Sequence, residues 1–426
     1  MLEKITQIFK IKDLRKKIFY VLMMLVIFRL AAHIPVPGVD ITVLKKFFES
    51  NQILGLLNMF TGGAMDNFSV VALGVGPYIT SSIIMQLLVM VVPYLEKLQK
   101  EEGEAGRAKI NKITRYATIP LAALQSYSMI ALLQRSGQGI IGDIPLFNLI
   151  TMVTIMTAGT VFLMWIGELM TEHGIGNGIS LIIFAGIVSA VPQAIQQTVV
   201  NFDSSKLVDL IGFGIIAVVV IAGIVFITEG QRNIPISFAR RVRGNKMYGG
   251  TSSHLPLKVN QAGVIPIIFA MSVMLLPGMV ANFFANSQNE MVGRIAQQTV
   301  ALFDNQLFYG VFYFVLVVLF TYFYTAVTFD PKQISENVQR QGGFVPGIRP
   351  GRHTAEYLQK TLSRITLTGA LFLGLVATLP FIMRAILDIP SLVIGGTGIL
   401  IVVSVVIETV KQIESQVVMR DYDKFY

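Results

Sequence analysis

The side chains that most often do chemistry are few in this sequence and do not stand at catalytic spacings. The four histidines form no His-Glu-x-x-His site and no other metal-ligand spacing, and there is no cysteine to supply a thiolate, a disulfide or a nucleophile. No Gly-Lys dipeptide occurs, so a Walker A phosphate loop is absent. Ser180 follows Gly178-Ile179 and is not a nucleophile elbow. The sequence therefore predicts no enzyme, no metal site and no cofactor.

The amino-acid composition indicates the class of protein to which a chain with so few catalytic side chains belongs. Of the 426 residues 53% are hydrophobic and 14% charged, and the mean hydropathy is +0.65. An ordinary soluble domain carries about 25% charged residues. This deficit excludes a soluble enzyme, a disordered protein and a nucleic-acid-binding module as the main interpretation. It predicts one all-α, polytopic membrane domain.

A helix needs about 20 mainly apolar residues to cross the hydrocarbon core of a bilayer. Ten stretches of the sequence meet this requirement: Ile18–Val36, Leu73–Val92, Tyr116–Leu133, Leu149–Leu169, Ile179–Gln196, Leu210–Ile227, Val264–Phe284, Leu307–Val327, Thr366–Leu387 and Leu392–Ile407. The sequence thus predicts ten membrane spans.

Charged residues within these spans are rare. Glu168 closes the fourth span and Glu408 ends the tenth, whereas a proton- or ion-coupled carrier usually needs a buried acid or a basic relay at mid-membrane. Arg29 lies inside the first span, and we expect it to snorkel or to pair with a neighbouring helix. The spans therefore do not predict self-powered transport.

Basic residues divide unequally between the two sides of the predicted membrane. One side, which includes both chain termini, carries 26 of the 34 lysines and arginines, and the other side carries six. Because cytoplasmic segments are enriched in lysine and arginine, both termini are expected in the cytoplasm. The net charge of +9 is therefore first a signal of topology.

An internal repeat relates the second and seventh spans. Residues 74–87 (GVGPYITSSIIMQL) and 263–276 (GVIPIIFAMSVMLL) are identical at six of fourteen positions with an offset of 189. The repeat divides the chain into halves of five spans, residues 1–200 and 201–426. An odd number of spans per half inverts the second half, and inverted repeats place a pathway at their interface. The repeat predicts a transporter or a channel.

Three segments between spans are unusual. Ile53–Phe60 is apolar but too short to cross, and Gly62 and Gly63 follow it, so a short re-entrant helix over about residues 53–65 is expected, with the two glycines as its hinge. An external amphipathic loop helix is the alternative. Glu229–Gln261 and Asp330–Ser363 are long, basic and rich in glycine and proline, and are named here the first and second basic loops.

The basic loops are candidate docking surfaces. In the second basic loop, the prolines and glycines of GIRPG (347–351) predict a stiff hairpin with Arg349 at its tip. Such loops would attract an RNA-rich or acidic partner in a salt-sensitive way. The alternative interpretation, that these cations only fix the membrane topology, has about half the weight for any single residue. The candidate docking residues are Arg240, Arg241, Arg243, Lys246, Arg349 and Arg352.

Four stretches identify a family. PYITSSIIMQLL (77–88), GIGNGISLIIFAGIV (174–188), LPLKVNQAGVIPIIFA (255–270) and GGFVPGIRPG (342–351) resemble the SecY/Sec61-alpha family of protein-conducting channels, and the resemblance covers essentially the whole chain. It implies two halves that enclose an hourglass pore, closed midway by a ring of branched aliphatic side chains. The ring residues implied are Ile79, Ile83, Ile183, Ile187, Ile268 and Ile401.

The residues themselves agree in part with this ring. Ile79 and Ile83, and likewise Ile183 and Ile187, are i,i+4 pairs that share one helix face, and Ile79 and Ile268 are repeat equivalents. Without the resemblance, such isoleucines would be plain packing. An apolar constriction suits a pore that passes every type of side chain, and it blocks ions by dewetting when empty.

The resemblance also implies a plug, a lateral gate and partners. The short segment after Ser50 becomes a plug in the external funnel, with candidate residues Ile53, Leu54, Leu56, Leu57, Met59 and Phe60. The seam between the second and third spans and the seventh and eighth opens sideways, and its candidate polar residues are Thr80, Gln86, Gln125 and Asn260. These side chains either bond across the seam, at about 1 kcal/mol each, or are satisfied within their own helices.

The implied partners are the SecE and SecG subunits, the SecA ATPase, the ribosome, signal sequences, unfolded preproteins and the lipid bilayer. The implied location is the bacterial cytoplasmic membrane. Two other function classes remain as alternatives. A secondary transporter of a small solute would need a polar site at mid-membrane, and an intramembrane protease would need paired acids or a Ser/His arrangement within spans; the sequence provides neither.

Overall fold

The computed structural model describes residues 11–50, 58, 61–135, 145–200, 207–238, 241–243, 246–248, 252–284, 289–386 and 396–423. Within this part, α-helices are the main elements, and β-strands occur in the two basic loops. The helices are α1 (Lys12–Ala31), α2 (Ile41–Ser50), α3 (Gly76–Val91), α4 (Pro93–Glu101), α5 (Gly103–Arg135), α6 (Leu146–His173), α7 (Gly178–Val200), α8 (Leu207–Glu229), α9 (Ile265–Phe284), α10 (Glu290–Asp304), α11 (Gln306–Thr328), α12 (Pro331–Arg340), α13 (Arg352–Ile386) and α14 (Gly396–Asp423).

Each of the ten predicted spans overlaps a helix in the described residues, and the mostly helical, polytopic fold class is confirmed. In the described part of the chain, α5, α6, α8, α11 and α13 are each long and apolar enough to cross a membrane, and the bent pair α3 and α4 adds a sixth candidate. The apolar parts of α7 and α9 are shorter, Gly178–Pro192 and Ile265–Met274. The helices α1 and α14 carry charged residues next to their apolar stretches.

The segment between the second and third spans differs from the expected loop. The chain bends by 102° at Pro93, because proline there lacks the N–H that would continue α3. It then forms α4 and runs into α5, which starts 13 residues before the predicted third span. Alanine, lysine, arginine and glutamate favour helix, so the basic stretch 104–115 is helical as well.

Polar side chains fix the starts of several helices. The amide oxygen of Asn177 accepts the Ile179 N–H at 3.0 Å at the start of α7, and Asn305 accepts the Leu307 N–H at 3.0 Å at the start of α11. Asp330 accepts the Lys332 N–H at 2.9 Å and precedes Pro331, the first residue of α12. These caps satisfy N–H groups that the helix itself leaves free.

The main hydrophobic core joins helices from both halves of the sequence. It contains buried residues of α1, α6, α7, α9, α11, α13 and α14. The helix α3 packs against α9, and α7 packs against α14. Because these two pairs connect the first half with the second, the centre of the molecule is made by both halves.

The basic loops contain a small sheet that the all-α expectation does not include. The first basic loop supplies β1 (Gln231–Phe238), β2 (Arg241–Arg243), β3 (Lys246–Tyr248) and β4 (Ser252–Lys258), and the second supplies β5 (Gly343–Phe344). The sheet order is β4-β1-β5, with all pairs antiparallel, and β2 pairs with β3. Ile234 and Leu257 from the first loop pack with Val345 and Leu358 beneath the sheet. The two basic loops are therefore one structural unit.

Candidate functional site

The predicted ring isoleucines lie on four helices around the main core. Ile183 and Ile187 of α7 and Ile401 of α14 are buried members of this core, and Ile79 and Ile268 are half-buried against it. Ile83, one turn beyond Ile79 on α3, is also buried but lies outside this core cluster. The structure thus brings five of the six predicted residues into one apolar cluster, named here the constriction cluster.

A close approach between α7 and α14 tightens the constriction cluster. A methyl group added at Gly398 would lie 3.3 Å from Cγ2 of Ile187, which is closer than ordinary van der Waals contact. The absence of a side chain at this position brings α14 within reach of α7, and Ile401 follows Gly398 by about one turn. Helix packing therefore places the isoleucines of the fifth and tenth spans against each other.

Sequence reasoning missed several buried residues of the same core. Val75 and Val264 are repeat equivalents, as are Met85 and Met274, and all four are buried. Val75, Val264 and Met274 belong to the main core, whereas Met85 lies in a smaller cluster with residues of α4. The repeat itself was the signal that would have identified Val75 and Val264.

Residues 61–75, which include the last five residues of the predicted plug, are mostly buried, and residues 61–65 form turns and not the expected helix. The predicted plug residues Ile53, Leu54, Leu56, Leu57, Met59 and Phe60 lie outside the described residues. Gly62 and Gly63 adopt left-handed φ values of +71° and +76°, a conformation that glycine takes readily. The Val36 N–H donates to the Phe68 carbonyl at 2.8 Å, which fixes this segment to the end of the first span.

Arg29 pairs with this segment. Its Nη1 donates to the backbone carbonyl of Gly62, and its side chain is half-buried. Arg29 was expected to snorkel or to pair with a neighbouring helix, whereas its partner is a carbonyl of a turn.

The candidate gate residues make hydrogen bonds within their own segments. Thr80 donates to the Gly76 carbonyl at 3.1 Å, and the Asn260 amide donates to the Gly263 carbonyl at 3.1 Å. The Gln86 Nε2 lies 3.5 Å from the Ser82 hydroxyl, and Gln125 is half-buried. Among the described hydrogen bonds of these residues, none crosses from α3 to α9.

A different residue connects neighbouring helices beside this seam. The buried Ser81 hydroxyl donates to the Thr114 carbonyl at 2.8 Å and joins α3 to α5. The oxygen atoms Gln86 Oε1 and Asn260 Oδ1 are buried without a hydrogen-bond partner among the described residues. The second and third spans are thus held together, and two acceptors beside the seam are unsatisfied.

The described docking residues lie on the separate β2–β3 hairpin, in the turn after β5 and at the start of α13. Arg349 is exposed, and its carbonyl accepts the Thr354 hydroxyl at 2.9 Å. Arg352 opens α13, is 89% exposed, and pairs with Glu356 at 3.0 Å. Arg241, Arg243 and Lys246 lie on the β2–β3 hairpin, and Arg240 lies outside the described residues.

The turn around Arg349 differs from the predicted hairpin. A turn with the Ile348 N–H donating to the Val345 carbonyl at 3.1 Å precedes it, and Gly347 and Gly351 have φ values of +82° and +92°. The expected hairpin does not form, because β5 pairs with β1 of the first basic loop and not with a strand of its own loop. Hydrogen bonds within the second basic loop, together with the β1–β5 pairing between the loops, therefore order this turn.

No group of three or more potential metal-ligating side chains occurs in the described residues. The chemical character of the site is an apolar cluster between two halves, with basic residues on and beside the two large loops.

A family model described as SecY matches residues 69–410, which is most of the chain. The chain belongs to the SecY family. The family assignment confirms the resemblance carried by the four sequence stretches. Among the relatives, a protein translocase subunit SecY of Streptomyces scabiei is 43% identical over 449 residues, with complete coverage of both chains. A protein translocase subunit SecY of Streptomyces griseus is 45% identical over 434 residues, covering 98% of each chain.

Solved structures show the SecY fold. A protein-conducting channel superposes with a TM-score of 0.65 at 18% identity, covering 93% of this chain and 91% of the other. A structure on the SecY plug domain, reported to stabilise the closed channel and maintain a membrane seal, has a TM-score of 0.62 at 18% identity with the same coverage. Sec61 in the canine ribosome–channel complex has a TM-score of 0.59 at 17% identity, again covering 93% and 91%.

Proposed function

We propose that the protein is the pore-forming subunit of a protein-conducting channel. It passes unfolded secretory proteins across the membrane and membrane proteins sideways into it. The observation that carries this function is the constriction cluster, in which isoleucines of α3, α7, α9 and α14 from both halves meet in a member of the SecY family. The relatives named above are translocase subunits, which favours the channel over a small-solute transporter.

The constriction cluster suits a seal for a polypeptide pathway. Isoleucine offers no hydrogen bond and no charge, so no class of side chain in transit is bound tightly. When no polypeptide is present, a narrow apolar passage loses its water and excludes ions. Ile79, Ile83, Ile183, Ile187, Ile268 and Ile401 form this pore ring, and the segment over about residues 53–65 acts as the plug.

The seam beside α3 and α9 serves as the lateral gate. These two helices pack against each other, and so do α5 and α9. The unsatisfied oxygens of Gln86 and Asn260 are acceptors that an entering signal sequence or lipid-facing water would satisfy, which lowers the cost of opening. Thr80 and Gln125 line the same seam.

Energy for movement comes from outside the chain, because the sequence has no phosphate-binding loop and the protein acts as a channel, not as an enzyme. The shared sheet and Arg349, Arg352 and the β2–β3 hairpin form the docking surface for the SecA ATPase or a ribosome. A structural neighbour, Sec61, is found in a ribosome–channel complex, which supports the ribosome as a partner. SecE and SecG complete the channel.

The protein works in the bacterial cytoplasmic membrane with both termini in the cytoplasm. The bacterial relatives and the distribution of basic residues support this location. In this orientation both basic loops face the cytoplasm, where a motor or a ribosome would bind.

One experiment tests the function. The purified complex is reconstituted into vesicles with SecA, ATP and a preprotein, and preprotein that resists added protease is measured. ATP-dependent protection is expected, and it should disappear when SecA is omitted. Vesicles that never protect the preprotein, while taking up a small solute, would favour the transporter instead.

A further inference from the structure

Residues 61–64, which belong to the predicted plug, are bonded to α1 through one cationic side chain, Arg29. Arg29 of α1 donates to the carbonyl of Gly62, and among the described residues no other donor reaches this carbonyl. Arg29 is half-buried and its neighbour Phe28 is buried. A hydrogen bond with an ionised donor is roughly twice as strong as a neutral one, so this contact fixes the segment firmly.

Gly62 also lies against the fifth span. A methyl group at Gly62 would be 2.8 Å from Cα of Gly186, a distance that real Cβ atoms do not show. Gly186 lies on α7 between Ile183 and Ile187, and positions three and four residues apart share a helix face. The backbone of the segment therefore touches α7 at the level of the constriction cluster.

These two contacts hold Gly62 against both the first and the fifth spans. The adjoining residues are held locally, because the Gly63 N–H and the Thr61 hydroxyl both donate to the Asn58 carbonyl at 3.0 Å. Ser69 N–H donates to the Ala64 carbonyl at 2.9 Å. A displacement of residues 61–64 would thus break the Arg29 bond and the Gly62–Gly186 contact together.

We propose that Arg29 and the Gly62–Gly186 contact form an anchor that holds residues 61–64 against α7 and so sets how rarely the empty channel opens. Arg29 is a positioning residue that acts through Gly62 and does not touch the translocating chain. This inference rests on the proposed channel function and adds to it a residue of the first span that controls the seal.

The first test compares two charge removals on the same helix. Arg29→Gln is expected to raise the open probability of empty channels in planar bilayers about tenfold or more, because a hydrogen bond to a charged group contributes that much to an equilibrium. Arg15→Gln, an exposed position on α1, should leave the empty channel closed. Arg29→Lys keeps one cationic donor and should restore part of the seal.

The second test uses two neighbouring glycines. Gly62→Ala and Gly63→Ala impose the same left-handed strain, but a methyl group at Gly63 meets no atom within 4 Å, whereas that at Gly62 meets Gly186. Gly62→Ala should leak, and Gly63→Ala should leak much less. This pair decides the question even when Arg29→Gln does not assemble, and thermal unfolding of each purified variant separates a loose anchor from a misfolded protein.

The outcomes distinguish the anchor from the proposed function. If the wild-type complex protects a preprotein but Arg29→Gln and Gly62→Ala stay as closed as wild type, the anchor is wrong and the channel stands. If the wild-type complex neither protects preprotein nor conducts when its seal is mutated, the channel function itself is wrong. Leakage in Arg29→Gln and Gly62→Ala, with tight Arg15→Gln and Gly63→Ala, supports the anchor.

Discussion

Gly74 and Gly263, 189 residues apart, adopt nearly the same left-handed backbone conformation, with φ values of +58° and +62°. Each lies two residues before a helix, α3 or α9, and each has a side chain from elsewhere in the chain above it. Thr61 covers Gly74, and Glu408 covers Gly263. The sequence repeat therefore extends to backbone geometry, as expected for two halves built on one plan.

This correspondence predicts that substitution of either glycine by alanine destabilises the protein to a similar extent. Gly74→Ala and Gly263→Ala should each lower the free energy of unfolding by about 1–2 kcal/mol through left-handed strain alone. Close contacts add to this cost, since the new methyl groups would lie 3.1 Å from Thr61 Cγ2 and 2.9 Å from Glu408 Oε1. Thermal unfolding of the purified complex measures the effect.

Gly76→Ala is the matched control, because Gly76 is helical and a methyl group there meets nothing within 4 Å. It should be neutral or slightly stabilising, since alanine favours helix over glycine. Unfolding temperatures of Gly74→Ala and Gly263→Ala that equal that of Gly76→Ala would contradict the prediction.

A polar group in the constriction cluster should open the seal. Ile401 is fully buried, and Ile401→Asn places an amide there without partners, at a cost of about 1–3 kcal/mol. Ile83→Asn should act in the same direction. Ion conductance of empty channels in planar bilayers is expected to rise, and export of preproteins with weak signal sequences should increase. Ile401→Leu keeps the volume and the apolar character of the side chain, so the channel of this variant should stay closed. Unchanged conductance in both asparagine variants would count against the ring.

Charge reversal at Arg349 should block driven transport. Arg349→Glu changes an exposed side chain, so insertion and folding are expected to remain normal, whereas a docking partner with acidic or phosphate groups would be repelled. ATP-dependent protection of a preprotein in vesicles should fall to background. Lys360→Glu, an equal reversal at another exposed site of the second basic loop, should retain activity. Normal transport by the Arg349→Glu variant would contradict the docking role proposed for Arg349.

The gate hydrogen bonds can be tested at Thr80. Because its hydroxyl donates to Gly76 of its own helix, Thr80→Val should change the requirement for a functional signal sequence very little. Ser81→Ala breaks the bond between α3 and α5 and should lower stability by about 1 kcal/mol. Export of a reporter with a weakened signal sequence is the measurement. A strong gain of export in Thr80→Val would mean that Thr80 bonds across the seam.

The spans could be predicted from sequence because a bilayer imposes one strong constraint. A spanning segment must be apolar and must satisfy its own backbone, and each of the ten apolar stretches overlaps a helix in the described residues. The face shared by Ile183 and Ile187 also followed from helical spacing. Their meeting with Ile401, by contrast, depends on packing between spans distant in sequence, and only the family resemblance predicted it.

The loops were predicted least well. The pairing of β1 with β5 joins residues about one hundred positions apart, and no periodicity in either loop indicates such a register. The partner of Arg29 is a backbone carbonyl, which carries no signal in the sequence. The stretch before the third span is helical although its charge excludes it from an apolar span, because helix propensity does not depend on hydropathy.

The β4-β1-β5 sheet has a mechanical consequence. Strand β1 continues from α8 after one residue, β4 leads towards α9, and β5 lies between α12 and α13. A force applied at Arg349 is therefore distributed over helices of the sixth, seventh and ninth spans, because the backbone hydrogen bonds of the sheet connect these helices. A partner that binds one loop and exerts a force on it would move these helices of the second half together, without binding any single helix.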